Sequence, residues 1–217
     1  MRDYNYALNL VTTGLHELLH NFRLAHANGP TNVEYADSSC IMSSYYPDEQ
    51  RTVQYPNSPH QWQLGWADLL DDIDIRTMTG SRTFNLPTSF STATPANVLR
   101  LRSPTTNYYL QLRTRNIRLD NLPAQYDQNV LIQRFAGTQD TVAPTNFVRG
   151  LRSGQSMTIE TVTITVVSVS GGVARVTVTR LTGPIPSPVP IPSPPLTSRL
   201  MDEMCLSQGL GSGLGGA

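Results

Sequence analysis

His16–His26 reads HELLHNFRLAH, and the fold of this chain turns on how these residues are arranged. Three of the four histidines of the 217-residue sequence fall within it. The surrounding VTTGLHELLHNF has helical periodicity, with Leu15, Leu18, Leu19 and Phe22 on or near one face. On such a helix His16 and His20 project from the same side, one turn apart. That spacing lets two imidazoles bind one zinc ion. Glu17 then lies beside the metal rather than on it, where a carboxylate can take a proton from water. His26 follows His20 by six residues. A continuous helix would carry it about 600° round and about 9 Å further along the axis. The three imidazoles meet only if the helix stops after His20 and the chain doubles back, so the spacing HExxHxxxxxH predicts a break near residues 22–24.

A single helical histidine is commoner as a capping or surface residue than as a ligand, and HExxH alone recurs by chance. The third histidine at the added spacing makes coincidence the weaker account. His60, followed by QWQLGW, reads as a structural residue. A purely structural zinc site would need a fourth protein ligand, for which Cys40 is the one candidate.

After His26 comes DSSCIMSSYYP, and here the sequence resembles the metzincin metallopeptidases, in which a Met-turn lies beneath the zinc. Met42 matches that methionine, whose soft thioether would form a hydrophobic floor under the imidazoles. HELLHNFRLAHA, CIMSSYY and NSPHQWQLGW, in that order, narrow the resemblance to the gametolysin family of algal matrix metallopeptidases. VLRLRS, YYLQLRTR and LDNLPAQYDQNVLIQRF also resemble the region after the catalytic part in that family. The likeness runs over roughly residues 8 to 180. It implies an extracellular zinc endopeptidase that degrades proline-rich cell-wall or matrix glycoproteins. Carried over by residue, His16, His20 and His26 are the metal ligands, Glu17 the general base and Met42 the Met-turn residue. Copper or manganese also suits three imidazoles.

Two departures stand out. Metzincins have glycine where this chain has Arg23, and a left-handed conformation there costs a non-glycine residue roughly 1–2 kcal/mol. The tyrosine that some metzincins carry two residues after the methionine is replaced by Ser44. Only fifteen residues precede His16, too few for the sheet-bearing half-domain that metzincins place there. The expectation is a truncated chain, or alternatively a non-catalytic matrix or wall-binding protein with a remnant zinc motif.

The rest of the sequence divides by composition. Residues 1–80 hold all the histidines and both tryptophans and read as a truncated metzincin-like catalytic domain. Residues 81–182 hold alternating runs: NVLRLRS, NYYLQLRTR, NVLIQRF, QSMTIE, VTITVVSVS and VARVTVTRL. They predict an all-β, antiparallel, sandwich-like module, with a hairpin at Gly171–Gly172. The overall class is therefore α+β. Residues 183–217 begin GPIPSPVPIPSPP and end GLGSGLGGA, a proline-rich linker and a flexible tail by composition. The 16 basic residues, all arginine, balance 16 acidic ones, which gives no reason to expect a polyanionic partner such as nucleic acid. No run of about 20 apolar residues exists to span a bilayer. MRDYNYALNLVTTG lacks the apolar core of a signal peptide. Cys40 and Cys205 are open to pairing or to remaining free thiols.

Overall fold

Strand formation follows the alternation closely in the C-terminal half. In β10 (Val173–Arg180) Ala174, Val176 and Val178 face inward and are fully buried, as are Val162, Ile164 and Val166 of β9 (Val162–Ser170). Each such side chain contributes roughly 1.5–3 kcal/mol on burial. Gly171 and Gly172 between them have φ of +56° and +75°, the backbone that a two-residue hairpin of the favoured twist demands. The molecule is a computed structural model describing residues 3–43, 54–91, 94–116 and 120–181, with the side chains of its first helix described from Thr12. The proline-rich run, the glycine-rich tail, Cys205 and Ser44 lie outside the described residues.

The elements are α1 (Asp3–Asn21), β1 (Ala27–Asn28), α2 (Ser58–Gln63), β2 (Asp68–Asp74), β3 (Ser81–Pro87), β4 (Ala96–Arg102) and β5 (Asn107–Arg113). A short 3-10 turn at Ala124–Tyr126 precedes β6 (Asn129–Phe135), β7 (Thr145–Leu151), β8 (Ser156–Ile159), β9 and β10. Two sheets form. One runs β1-β7-β6-β5-β4-β2, and the other β3-β10-β9-β8. Their inner faces share a core that includes Ile73, Leu99, Leu110 and Ile132 from the first sheet and Leu86, Ile164 and Val176 from the second. The protein is thus mostly β.

The ladders among the strands of residues 81–180 are antiparallel, as expected for that region, but the first sheet as a whole is mixed. β1 pairs with β7 and β2 with β4 in parallel, while the other ladders are antiparallel. The reason is topological. β3, which separates β2 from β4 in sequence, belongs to the other sheet, so the chain returns to β2 by a crossover and not by a hairpin. The first sheet also recruits β1 and β2 from the N-terminal third. Residues Met1–Gly183 accordingly cluster as one compact unit.

Two features carry this scaffold to the histidines. The first is the β1 register, Ala27 opposite Thr145, with Thr145 N–H donating to the His26 carbonyl at 3.2 Å. The second is a buried ion pair. Arg113 Nη2 meets Asp120 Oδ2 at 2.5 Å, with side chains 1% and 0% exposed. Arg113 also donates to the Pro56 carbonyl at 3.2 Å, and Asp120 accepts the Tyr55 N–H at 3.0 Å. The pair therefore clamps the chain just before α2, where Asn57 caps the helix by accepting the His60 N–H. Removing one member leaves the other charge buried and unpaired. Asp120→Ala is expected to cost about 3–5 kcal/mol of stability, read as a shift in the denaturant midpoint; a change of less than about 1 kcal/mol would contradict the clamp.

Candidate metal centre

α1 ends in a specific way. Arg23 N–H donates to the His20 carbonyl at 2.9 Å and Leu24 N–H to the Leu19 carbonyl at 3.3 Å. This is the Schellman pattern, with Arg23 at the left-handed position usually held by glycine, φ +68°. Leu24 and Leu19 are both buried, supplying the apolar contact that accompanies the motif. The break thus falls within residues 22–24, as the histidine spacing demands.

The reversal gathers His16, His20 and His26. One ring nitrogen from each lies within 4.8 Å of the other two. Ring centroids are 4.9 Å apart for His16–His20 and for His20–His26, and 5.7 Å for His16–His26. Each Nδ1 is already engaged. His16 Nδ1 contacts the Ile41 carbonyl at 2.9 Å, His20 Nδ1 the Leu24 carbonyl at 2.7 Å, and His26 Nδ1 the Glu34 Oε1 at 2.5 Å. All three partners are acceptors, so the proton is assigned to Nδ1 and the lone pair to Nε2. Three neutral Nε2 donors with carbonyl or carboxylate partners behind them fit a zinc site that keeps one position open.

Glu17 is exposed on α1 beside His16. Met42 is fully buried with Leu19, Leu24, Ala27, Cys40 and Ile41, and its carbonyl accepts the Ala27 N–H at 2.8 Å. Cys40 is a buried free thiol that is not part of the histidine group. Its Sγ accepts N–H bonds from Met42 and Asn57 and lies 3.5 Å from His60 Nδ1. Burial, and next the charge of Asp37, push its pKa upward, so it stays a thiol. Among the described residues the group that could hold a metal consists of His16, His20 and His26 and does not include it. His60 is fully buried, with no partner for its Nε2 among the described residues. Burial first, and then the neighbouring histidines, bring its pKa down to about 3. Asp37 completes the floor, accepting from Ser39 and from Asn57 Nδ2, which also donates to Thr145 Oγ1 at 2.7 Å. Burial raises the Asp37 pKa against the lowering effect of those bonds.

Two residues at the site escaped the sequence reading. Glu34 orients His26. Tyr35 lays its ring 4.0 Å from that of His26 with its own backbone left-handed at φ +61°. An acid eight residues after a histidine forms no recognisable spacing, and Tyr35 carried no signal.

The model of the family described as gametolysin peptidase M11 matches residues 1–168, and the chain belongs to that family. No curated protein and no solved structure matches it.

Arg23→Gly is expected to stabilise the metal-free chain by about 1 kcal/mol, since glycine takes the left-handed position without strain; a destabilised variant in denaturant unfolding would contradict the helix-end geometry. Glu34→Gln is expected to weaken zinc binding 10–100-fold, read by competition against a chromophoric chelator, with the melting temperature of the metal-free chain unchanged.

Proposed function

We propose that this member of the gametolysin peptidase family is a zinc-dependent endopeptidase acting on proline-rich extracellular matrix or cell-wall glycoproteins. The observation that carries the proposal is the convergence of His16, His20 and His26 with every Nδ1 held by an acceptor. Membership of a metallopeptidase family supports the reaction class. The glycoprotein substrate and the extracellular setting rest on the family resemblance. In this reading His16, His20 and His26 hold the metal. Residues 1–80 carry the zinc chemistry, and residues 81–182 form the β-module that braces it.

A zinc ion held by three imidazoles would lower the pKa of its water towards about 7 and polarise the scissile carbonyl. The remaining steps belong to the chain. Glu17, one residue after His16 and open to solvent, receives the proton of the attacking water on its carboxylate. It then delivers that proton to the leaving amine. Met42 closes the floor as an apolar surface and ligates nothing. Glu34 and the Leu24 and Ile41 carbonyls keep the three rings aimed at one point.

The test separates binding from chemistry. Wild-type protein is expected to hold about one zinc per chain and to cleave gelatin or proline-rich peptides. Glu17→Ala is expected to keep the metal and lose cleavage by at least about 10²-fold. Unchanged cleavage in that variant would remove Glu17 from the reaction. Zinc bound without hydrolysis of any such substrate would favour the alternative of a matrix-binding protein.

A further inference from the structure

The β-module holds an open cavity of about 380 Å³ between the 124–129 segment and β7. Three of its features bear on what it could bind. First, it is lined by Arg149 and Arg152 but by no aspartate or glutamate. Arg76, Arg82, Arg100, Arg102 and Arg113 each meet a carboxylate, whereas among the described residues Arg23, Arg115, Arg134, Arg175 and Arg180 do not. Among the described residues neither Arg149 nor Arg152 forms an ion pair. The Arg152 guanidinium reaches the Gln125 carbonyl at 3.4 Å, and its backbone N–H donates to Gln155 Oε1 at 2.8 Å. Second, the wall contains an orphan acceptor. Asn129 is 4% exposed, its Nδ2 donates to the Gln125 carbonyl at 2.8 Å, and its buried Oδ1 has no partner. A buried acceptor left unsatisfied is costly, and it marks the wall as polar. Third, Tyr126 packs against Phe147 at 5.4 Å between ring centroids, giving the cavity an aromatic side.

The cavity is also tied to the metal-bearing loop. Ser38 Oγ donates to the Tyr126 hydroxyl at 3.2 Å. Ser38 lies three residues from Ile41, whose carbonyl orients His16. Three residues span at most about 11 Å, so the cavity and the histidines lie within reach of one extended polypeptide.

We propose that this cavity is an exosite that binds an acidic stretch of the polypeptide substrate at a distance from the scissile bond. The proposal rests on the peptidase reading for its role, though not for its binding chemistry. The Arg149 and Arg152 guanidiniums take side-chain carboxylates, with planar forks that match their geometry. Two guanidiniums on one cavity favour a chain that carries several carboxylates over a simple anion. Tyr126 and Phe147 give the segment an apolar surface to lie along.

The experiment uses the full chain and fluorescein-labelled hexaglutamate, read by fluorescence anisotropy. Saturable binding is expected, weakening as salt rises. The Arg149→Ala/Arg152→Ala double variant is expected to bind at least about tenfold more weakly. Glu17→Ala is expected to bind as the wild type does. In cleavage, the double variant is expected to raise KM about tenfold for a proline-rich peptide with a glutamate extension. It should leave the neutral parent peptide unaffected. Undetectable hexaglutamate binding, or equal binding by the double variant, would overturn the exosite. So would equal competition by inorganic phosphate at matched ionic strength, which would mark the cavity as a general anion site. Because anisotropy needs no hydrolysis, arginine-dependent binding by a chain that cleaves nothing would sink the peptidase reading and leave the peptide site standing.

Discussion

A helix can present two imidazoles to one cation but not a third six residues later, so the reversal at Arg23 is the constraint on which the rest of the structure depends. The chain meets it with a compact device. Leu24 N–H closes on the Leu19 carbonyl, and the Leu24 side chain is buried against the same turn. The Leu24 carbonyl then accepts the His20 Nδ1–H. One residue thereby ends the helix and aims the second imidazole. The left-handed conformation of Arg23 costs roughly 1–2 kcal/mol, which burial of Leu24 at roughly 1.5–3 kcal/mol is enough to offset.

The other two imidazoles depend on other loops. His16 is aimed by the Ile41 carbonyl, and the Ile41 N–H is held in turn by the Tyr55 carbonyl. The Met42 loop stands on a buried polar network of Asp37, Ser39, Asn57 and Thr145, with the Cys40 thiol accepting two further N–H groups. Such a network rigidifies only if its members are satisfied. The uncharged thiol suits that position. It accepts two backbone N–H groups and carries no charge into the buried network.

The sequence showed the parts whose cause is local. The strands β4, β5, β6, β8, β9 and β10 fall on the apolar-rich runs expected to form them, each end within two residues of its expected place. The helix followed from the periodicity of Leu15, Leu18, Leu19 and Phe22, and its break from the histidine spacing. The parts that escaped are those that tertiary context decides. β2 reads DLLDDID, and aspartate is depleted in strands. It forms because Arg82, Arg100 and Arg102 pair with Asp71 and Asp72, and the Arg100 pair lowers the Asp72 pKa. β1 is only two residues long and exists because β7 offers an edge. β7 contains Gly150, a weak strand former, at a point where a Cβ would sit 3.1 Å from Leu131 Cδ2. Glu34 and Tyr35 reach His26 through a loop whose left-handed Asn32 and Tyr35 have no sequence signature.

The dependence of His26 on β1 and β7 changes what the β-module is for. His16 and His20 ride on α1, and their mutual placement is a property of that helix. The third imidazole is positioned by a parallel bridge to Thr145 and by Ala27, whose N–H meets Met42. The bridge to Thr145 is a long-range contact that an unfolded β-module does not supply. A metal that needs all three rings therefore binds only the folded unit, and its binding free energy adds to the stability of that whole unit. The sheet is part of the metal centre in this thermodynamic sense, although it contributes no ligand.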